Sequence, residues 1–121
     1  LKDKIFLISY KDNPYPYFLI SDLYIMPSLY EGCPNSIIEA TALNLPVISS
    51  NCNSGPSEIL LNGKGGFIFE KKNYIKLADK IELFIKNKKI FLKKMSIAKK
   101  NIIRFDEKRI LREYISILKR I

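Results

Sequence analysis

The sequence contains no His and only two Cys, Cys33 and Cys52. Without His, neither a Ser/His/Asp nor a Cys/His nucleophilic site can be assembled from these residues. Two thiols are too few for a structural zinc site or a disulfide scaffold, and reduced cysteines are typical of cytoplasmic proteins. We therefore expect a cytoplasmic location, and chemistry that depends on carboxylates, on backbone groups or on a segment outside this chain.

Long hydrophobic runs are also missing. The longest apolar stretches, such as residues 5–8 and 23–26, are only a few residues long, whereas a membrane-spanning helix needs about 20. We expect no transmembrane helix. The N-terminus reads Leu-Lys-Asp-Lys, with neither an initiating Met nor the apolar core of a signal peptide, and we interpret it as a cut into a longer chain. The 121 residues, of which 47% are hydrophobic, fit one globular domain.

The net charge of +9 is unevenly distributed along the chain. Residues 1–62 carry three Lys against six acids, whereas residues 63–121 carry eighteen Lys and Arg against six acids. Such a basic block fits either an anionic membrane surface or plain solvation. It lacks interleaved surface aromatics and any motif that reads bases, so we expect no nucleic-acid partner.

The first half alternates short β-branched and aromatic runs with helical patterns, which is typical of a parallel sheet with crossover helices. Four strands are predicted, over residues 5–9, 23–26, 46–49 and 67–69. Between them, a short helical turn is predicted over 17–21, a helix over 36–43 with Asn35 as its N-cap, and a helix over 56–61. The predicted fold class is therefore α/β, with a Rossmann-like parallel sheet.

From residue 73 onward the apolar period becomes helical. One face collects Tyr74, Leu77, Ala78, Ile81, Phe84 and Ile85, and a later one Ile110, Leu111, Tyr114, Ile117, Leu118 and Ile121. Between these two helices, residues 88–104 form a third, strongly basic helix. We predict that each helix buries one apolar stripe on the sheet, so that residues 1–121 form a single domain that ends in basic helices.

The segment most suited to chemistry covers residues 27–40, which lead from the carboxyl end of a predicted strand into a helix N-terminus. Ligands bind in this crevice of open parallel sheets, because loop amides and the positive end of the helix converge there. Amides at 35–37 would stabilise a diphosphate, while Glu31 and Glu39 would accept hydrogen bonds from sugar hydroxyls. In the structural alternative, Asn35 only caps a helix, Glu39 faces solvent and Glu31 is a loop charge.

This segment resembles the C-terminal, donor-binding domain of GT-B glycosyltransferases of the group 1 type, the retaining family 4 enzymes. Their hallmark is a pair of Glu separated by seven residues, and Glu31 and Glu39 have that spacing. The resemblance extends over residues 5–70 and includes Ser21-Asp22, Pro27-Ser28, Gly32, Pro34-Asn35, Ala40, 45–48, Gly55, 58–60, Gly63 and Gly66. It implies a partial GT-B domain, with the acceptor-binding N-terminal domain and the start of the C-terminal domain outside these residues.

The resemblance also implies roles for individual positions. Glu39 would bind the ribose hydroxyls of the donor nucleotide, and Glu31 would be the catalytic residue, stabilising the positive charge at the anomeric carbon of the transferred sugar. Backbone groups would hold the sugar hydroxyls and the diphosphate in place of a metal. These donor-binding positions are Gly32, Cys33, Pro34, Asn35 and Ser36. The chain has no Asp-x-Asp motif, and we expect neither a metal nor another cofactor.

Three positions depart from the family pattern or have a second interpretation. Cys33 stands where the family commonly has a bulky residue, and its thiol either lines the sugar pocket or fills a small buried apolar space. Gly55 and Glu58 either hold a loop over the donor, or Glu58 is only a first-turn helix acid. The Arg and Lys that neutralise the leaving diphosphate lie upstream in the family, so we expect no transfer by these 121 residues alone.

The expected function is retaining transfer of a sugar from a nucleotide-diphosphate donor to a glycan or lipid-linked acceptor. Residues 51–58 are similar to bacterial enzymes that build lipid-linked or surface glycans from UDP-activated N-acetylhexosamines, which favours a UDP-sugar. The alternative is a non-catalytic nucleotide-sugar-binding module or a subunit of a split transferase. We expect the protein either free in the cytoplasm or peripheral on the cytoplasmic face of an anionic membrane.

Overall fold

The computed structural model describes residues 2–52 and 54–120. These residues form α1 (Tyr15–Ile20), β1 (Tyr24–Met26), α2 (Asn35–Ala42), β2 (Val47–Ser50), α3 (Gly55–Ile59), β3 (Phe67–Phe69), α4 (Tyr74–Lys86), α5 (Lys88–Asn101) and α6 (Glu107–Leu118). Short 3₁₀ turns lie at Lys2–Lys4 and Ile102–Phe105. None of the helices in the described ranges combines the length and the apolar composition needed to cross a bilayer.

The three strands form one parallel sheet in the order β1-β2-β3, which confirms the predicted α/β class. Ile48 of β2 is in register with Ile25 on one side and with Phe67 on the other. All of β2 is buried, as expected for a central parallel strand covered on both faces. Because the strands are parallel, their carboxyl ends meet at one edge of the sheet.

Side chains along β2 alternate between two hydrophobic cores, as the two-residue period of a strand requires. Val47 belongs to the core that α2 and α3 cover, whereas Ile48 belongs to the core that α4 and α5 cover. The first core consists of Met26, Ile37, Ala40, Leu45, Val47, Ile59 and Leu60, and the second of Ile48, Phe69 and Phe91. The sheet is therefore sandwiched between two layers of helices.

The predicted strand over residues 5–9 is wrong. Residues 5–10 have no regular secondary structure, and the side chains of Phe6 and Leu7 are 79% and 97% exposed. An apolar, β-branched run becomes a strand only when it pairs with a neighbour, and no strand of the described residues lies beside it. The sheet in this part of the chain therefore has three strands instead of four.

The N-terminus of α2 also differs from the prediction. Pro34, with extended backbone (φ −72°, ψ 105°), occupies the N-cap position, and the helix runs over Asn35–Ala42. Asn35 is therefore the first residue of the helix and its side chain caps none of the α2 amides. The predicted helix over 88–104 ends at Asn101, and the 3₁₀ turn completes it.

The prediction that every helix buries an apolar stripe on the sheet is wrong for α6. All residues of α6 are exposed, and Ile110, Tyr114 and Leu118 are 48%, 63% and 56% exposed. The helix contacts the 3₁₀ turn that precedes it. An apolar period predicts an amphipathic helix but does not specify what its apolar face packs against.

Candidate functional site

The loop that follows β1, residues 27–34, is tied to the end of β2. The carbonyl oxygen of Ser28 accepts hydrogen bonds from the hydroxyl of Ser50 and, at 3.0 Å, from the thiol of Cys52. The hydroxyl of Ser54 donates to the carbonyl oxygen of Glu31 at 3.1 Å. The backbone on which Glu31 sits is therefore fixed by residues that follow the central strand.

The start of α3 lies directly against this loop. A Cβ atom at Gly55 would be 1.7 Å from the carbonyl oxygen of Gly32 and 2.7 Å from Cδ of Pro34. Only glycine fits at such a distance, because any side chain would overlap the loop backbone. Gly55 thus contacts the loop by close backbone packing, and its contact with a donor remains a prediction.

The first turn of α2 offers two free amides. The amide of Ile37 donates to the carbonyl oxygen of Pro34 at 3.1 Å, and Pro34 has no N–H of its own. Across residues 2–52 and 54–120, no acceptor binds the amides of Asn35 and Ser36. Of the three amides predicted to stabilise a diphosphate, two are therefore free to donate, and anion binding at this helix terminus remains a prediction.

The two hallmark carboxylates, in the loop before α2 and in α2 itself, have different surroundings. Glu31 and Glu39 are both partly buried, and neither carboxylate forms an ion pair with any described residue. Glu31 lines a cavity of about 350 Å³ together with Tyr30, Gly32, Cys52 and Lys71. Glu39 lies one turn into α2 and does not line that cavity. The two carboxylates can therefore contact different parts of one extended ligand.

The two cysteines lie in different surroundings. Cys33 is exposed, which rules out the small buried apolar role, and its thiol does not line the cavity beside Glu31. Cys52 is 4% exposed and does line that cavity. Its thiol also lies 3.2 Å from the hydroxyl of Ser50. Of the two residues, Cys52 lines the cavity beside Glu31, and contact between Cys33 and a donor remains a prediction.

Glu58 is exposed in the first turn of α3, which fits the interpretation as a first-turn helix acid. Its backbone carbonyl accepts a hydrogen bond from the guanidinium of Arg104, which attaches the 3₁₀ turn to α3. Among the described residues, its carboxylate forms no ion pair. Contact between Glu58 and a donor remains a prediction.

Sequence reasoning missed Tyr30, Cys52 and Lys71. The ammonium nitrogen of Lys71 lies 5.3 Å from the centroid of the Tyr30 ring, a cation–π distance. Cys52 comes two residues after β2 and Lys71 two residues after β3. Because the carboxyl ends of parallel strands converge, these positions could have been selected from the predicted strand ends. The described ranges hold no group of three His, Cys, Asp or Glu side chains placed to bind a metal ion, and metal independence stays a prediction.

A parallel α/β sheet with a loop and a helix N-terminus at its carboxyl edge defines a Rossmann-like binding domain. The sequence model of the family described as "Glycosyl transferases group 1" matches residues 1–104, and the chain belongs to this family. The crystal structure of TarM superimposes on 96% of this chain with a TM-score of 0.82 and 30% sequence identity. The predicted resemblance to GT-B glycosyltransferases is therefore confirmed.

Two curated relatives are similar over most of the chain. Poly(ribitol-phosphate) alpha-N-acetylglucosaminyltransferase of Staphylococcus aureus is 30% identical over 118 residues, or 97% of this chain. The N,N'-diacetylbacillosaminyl-diphospho-undecaprenol alpha-1,3-N-acetylgalactosaminyltransferase of Campylobacter jejuni is 30% identical over 100 residues, or 83% of this chain. The chain spans 24% and 26% of these two proteins and 24% of the TarM chain. It therefore corresponds to part of such an enzyme.

Proposed function

We propose that this chain is the donor-binding part of a retaining glycosyltransferase. The whole protein would move a sugar from a nucleotide-diphosphate donor to an acceptor. The observation that carries the proposal is the start of α2, where the amides of Asn35 and Ser36 are free and, along the chain, Glu31 precedes them and Glu39 follows them. The amides suit an anion and the carboxylates suit hydroxyl groups, and a nucleotide sugar presents both.

The diphosphate of the donor binds at the helix terminus in this proposal. Charge-assisted hydrogen bonds from Asn35 and Ser36, together with the helix dipole, stabilise its negative charge without a metal. Glu39 lies four residues after Asn35, which is about 6 Å along the helix axis. At that distance its carboxylate accepts hydrogen bonds from the ribose hydroxyls and avoids direct repulsion by the phosphates.

Glu31 acts on the sugar. When the bond between the anomeric carbon and the diphosphate breaks, positive charge develops on the sugar ring and the nucleotide diphosphate leaves. The carboxylate of Glu31, in the cavity beside Gly32 and Cys52, stabilises that charge while the acceptor oxygen forms the new bond on the same face and its proton passes to the departing diphosphate. Its partly buried position excludes some water and so strengthens the interaction.

The proposal also covers the substrates and the location, with support from the family and from the charge. The donor is a UDP-sugar, and the acceptor is a glycan or a lipid-linked intermediate of a bacterial surface polysaccharide. In support, the two relatives are named for poly(ribitol-phosphate) and for a diphospho-undecaprenol. The protein works in the cytoplasm, where the excess of basic residues in 63–121, eighteen Lys and Arg against six acids, attracts it to an anionic membrane. Each cation that reaches the membrane surface is worth up to about 1 kcal/mol.

The decisive experiment is an NMR titration of the isotope-labelled chain with UDP, a UDP-N-acetylhexosamine and GDP-mannose. We expect saturable shifts at residues 31–39 with the uridine nucleotides only. Glu39→Ala should weaken binding of UDP by roughly 10- to 150-fold, because the loss of hydrogen bonds between a carboxylate and hydroxyl groups costs roughly 1.5–3 kcal/mol.

The matched control is Glu82→Ala, which removes an exposed carboxylate from α4. This variant should bind UDP like the unaltered chain. Equal losses in both variants would contradict the ribose assignment, and shifts located away from α2 would contradict the donor site itself. A preserved amide spectrum in each variant shows that the chain is still folded.

A further inference from the structure

A second cavity, of about 600 Å³, lies beside the one that contains Glu31. Its wall comes from segments that follow all three strands, and its polar members are Tyr30, Asn51, Glu70, Lys71 and Lys72. Tyr30 and Lys71 line both cavities, which are therefore neighbours separated by these two side chains. A ligand group in the larger cavity adjoins the transferred sugar of the proposed function.

The larger cavity carries excess positive charge. Lys71 is partly buried and lies over the ring of Tyr30, which limits the freedom of its ammonium group. Within residues 2–52 and 54–120, neither Lys71 nor Lys72 forms an ion pair. The wall contains two lysines and a single carboxylate, that of Glu70, so its net positive charge favours an anion.

The hydrogen-bonding groups suit a phosphate. The side-chain oxygen of Asn51 accepts from the hydroxyl of Ser57 at 2.9 Å, which leaves the amide NH₂ of Asn51 able to donate elsewhere. With the two ammonium groups and the hydroxyl of Tyr30, the wall offers several donors to one multidentate anion. The diphosphate of the donor does not occupy this cavity, since Asn35 and Ser36 do not line it.

We propose that the larger cavity binds a phosphate group of the acceptor, with Lys71 as its main cation. The inference rests on the proposed function, because Glu31 locates the transferred sugar next to this cavity. A phosphate held by Lys71 fixes the position of the acceptor relative to the anomeric carbon, and such positioning lowers the entropic part of the barrier. An acceptor without a phosphate lacks this contact.

The test uses glycerol 3-phosphate as the probe and glycerol as its uncharged control, with the chain saturated by UDP so that the donor site is filled. Saturable NMR shifts are expected at residues 30, 51 and 69–72 with glycerol 3-phosphate only, with a Kd in the millimolar range. Lys71→Gln should weaken this binding about tenfold. Lys89→Gln, at an exposed position of α5, should leave it unchanged.

Three results overturn the inference: no saturable shift, shifts at residues 32–36 that disappear when UDP is added, or equal binding by the two lysine variants. Failure of the proposed function gives a different result. UDP then produces no shift at residues 31–39, while the response of residues 30, 51 and 69–72 to glycerol 3-phosphate persists and still supports the anion cavity.

Discussion

Gly55→Ala is the substitution for which the structure predicts the sharpest effect. The added methyl group would lie 1.7 Å from the carbonyl oxygen of Gly32, and its next contact, at 2.7 Å, is with Cδ of Pro34. Ordinary contacts at such pairs are well above 3 Å, so either α3 or the loop must move by more than 1 Å. Neither group is the flexible end of a side chain, and the clash cannot be relieved by a rotamer change.

Gly55→Ala should lower the free energy of unfolding by at least about 3 kcal/mol, the upper end of the range for overpacked sites. In urea, with an m value of about 1.5 kcal/mol/M, this corresponds to a decrease in the midpoint of about 2 M. The displaced loop carries Glu31 and leads into α2, so the affinity for UDP should also fall. Urea unfolding followed by circular dichroism, with a UDP titration at zero urea, measures both effects.

Gly32→Ala is the matched control, because a Cβ atom at Gly32 meets nothing within 4 Å. It should change the free energy of unfolding by about 0.5 kcal/mol or less, as for a surface substitution. If Gly55→Ala were as stable as Gly32→Ala, the close packing of α3 against the loop would be refuted.

Two further predictions concern the core and the basic half of the chain. Phe91→Ala should lower the free energy of unfolding by about 3–5 kcal/mol in urea titrations, because this ring is 1% exposed and contacts the rings of Phe67 and Phe84 at centroid distances of 4.2 and 5.0 Å. Sedimentation with anionic vesicles should show binding that salt abolishes, since the Debye length falls from about 10 Å at 0.1 M to about 3 Å at 1 M. Binding that is insensitive to salt and to lipid charge would exclude the membrane contact.

The three observed strands were predictable from local residues, whereas the failed strand depended on distant ones. Residues 24–26 and 67–69 are apolar and 47–50 begin with Val47-Ile48; each run has Pro, Gly or Asn on at least one side and pairs with another strand. Residues 5–9 have the same composition but no neighbouring strand in the described residues. A strand is completed by its partner, and one run of sequence does not contain that information.

The same difference between local and distant residues explains which site residues could be predicted from the sequence. The spacing of Glu31 and Glu39 is a property of one continuous segment, so a resemblance could point to it. Lys71 enters the cavity beside Glu31 only because β3 and β1 are parallel and both flank β2. In the sequence, only its position just after a predicted strand points to Lys71, and many surface lysines have such a position.

In the loop after β1, contacts with other segments fix the backbone, whereas the carboxylate of Glu31 is free to bind. The carbonyl oxygens of Ser28 and Glu31 accept hydrogen bonds from residues that follow β2, and Gly55 packs closely against the backbone of Gly32. The carboxylate of Glu31 has no ion-pair partner among the described residues. Electrostatic stabilisation of a transient charge requires a carboxylate that is already in position and has no other partner. The carboxylate of Glu31 then need not reorganise when the charge appears. The central strand therefore sets the position of Glu31, although Glu31 belongs to the loop of its neighbour.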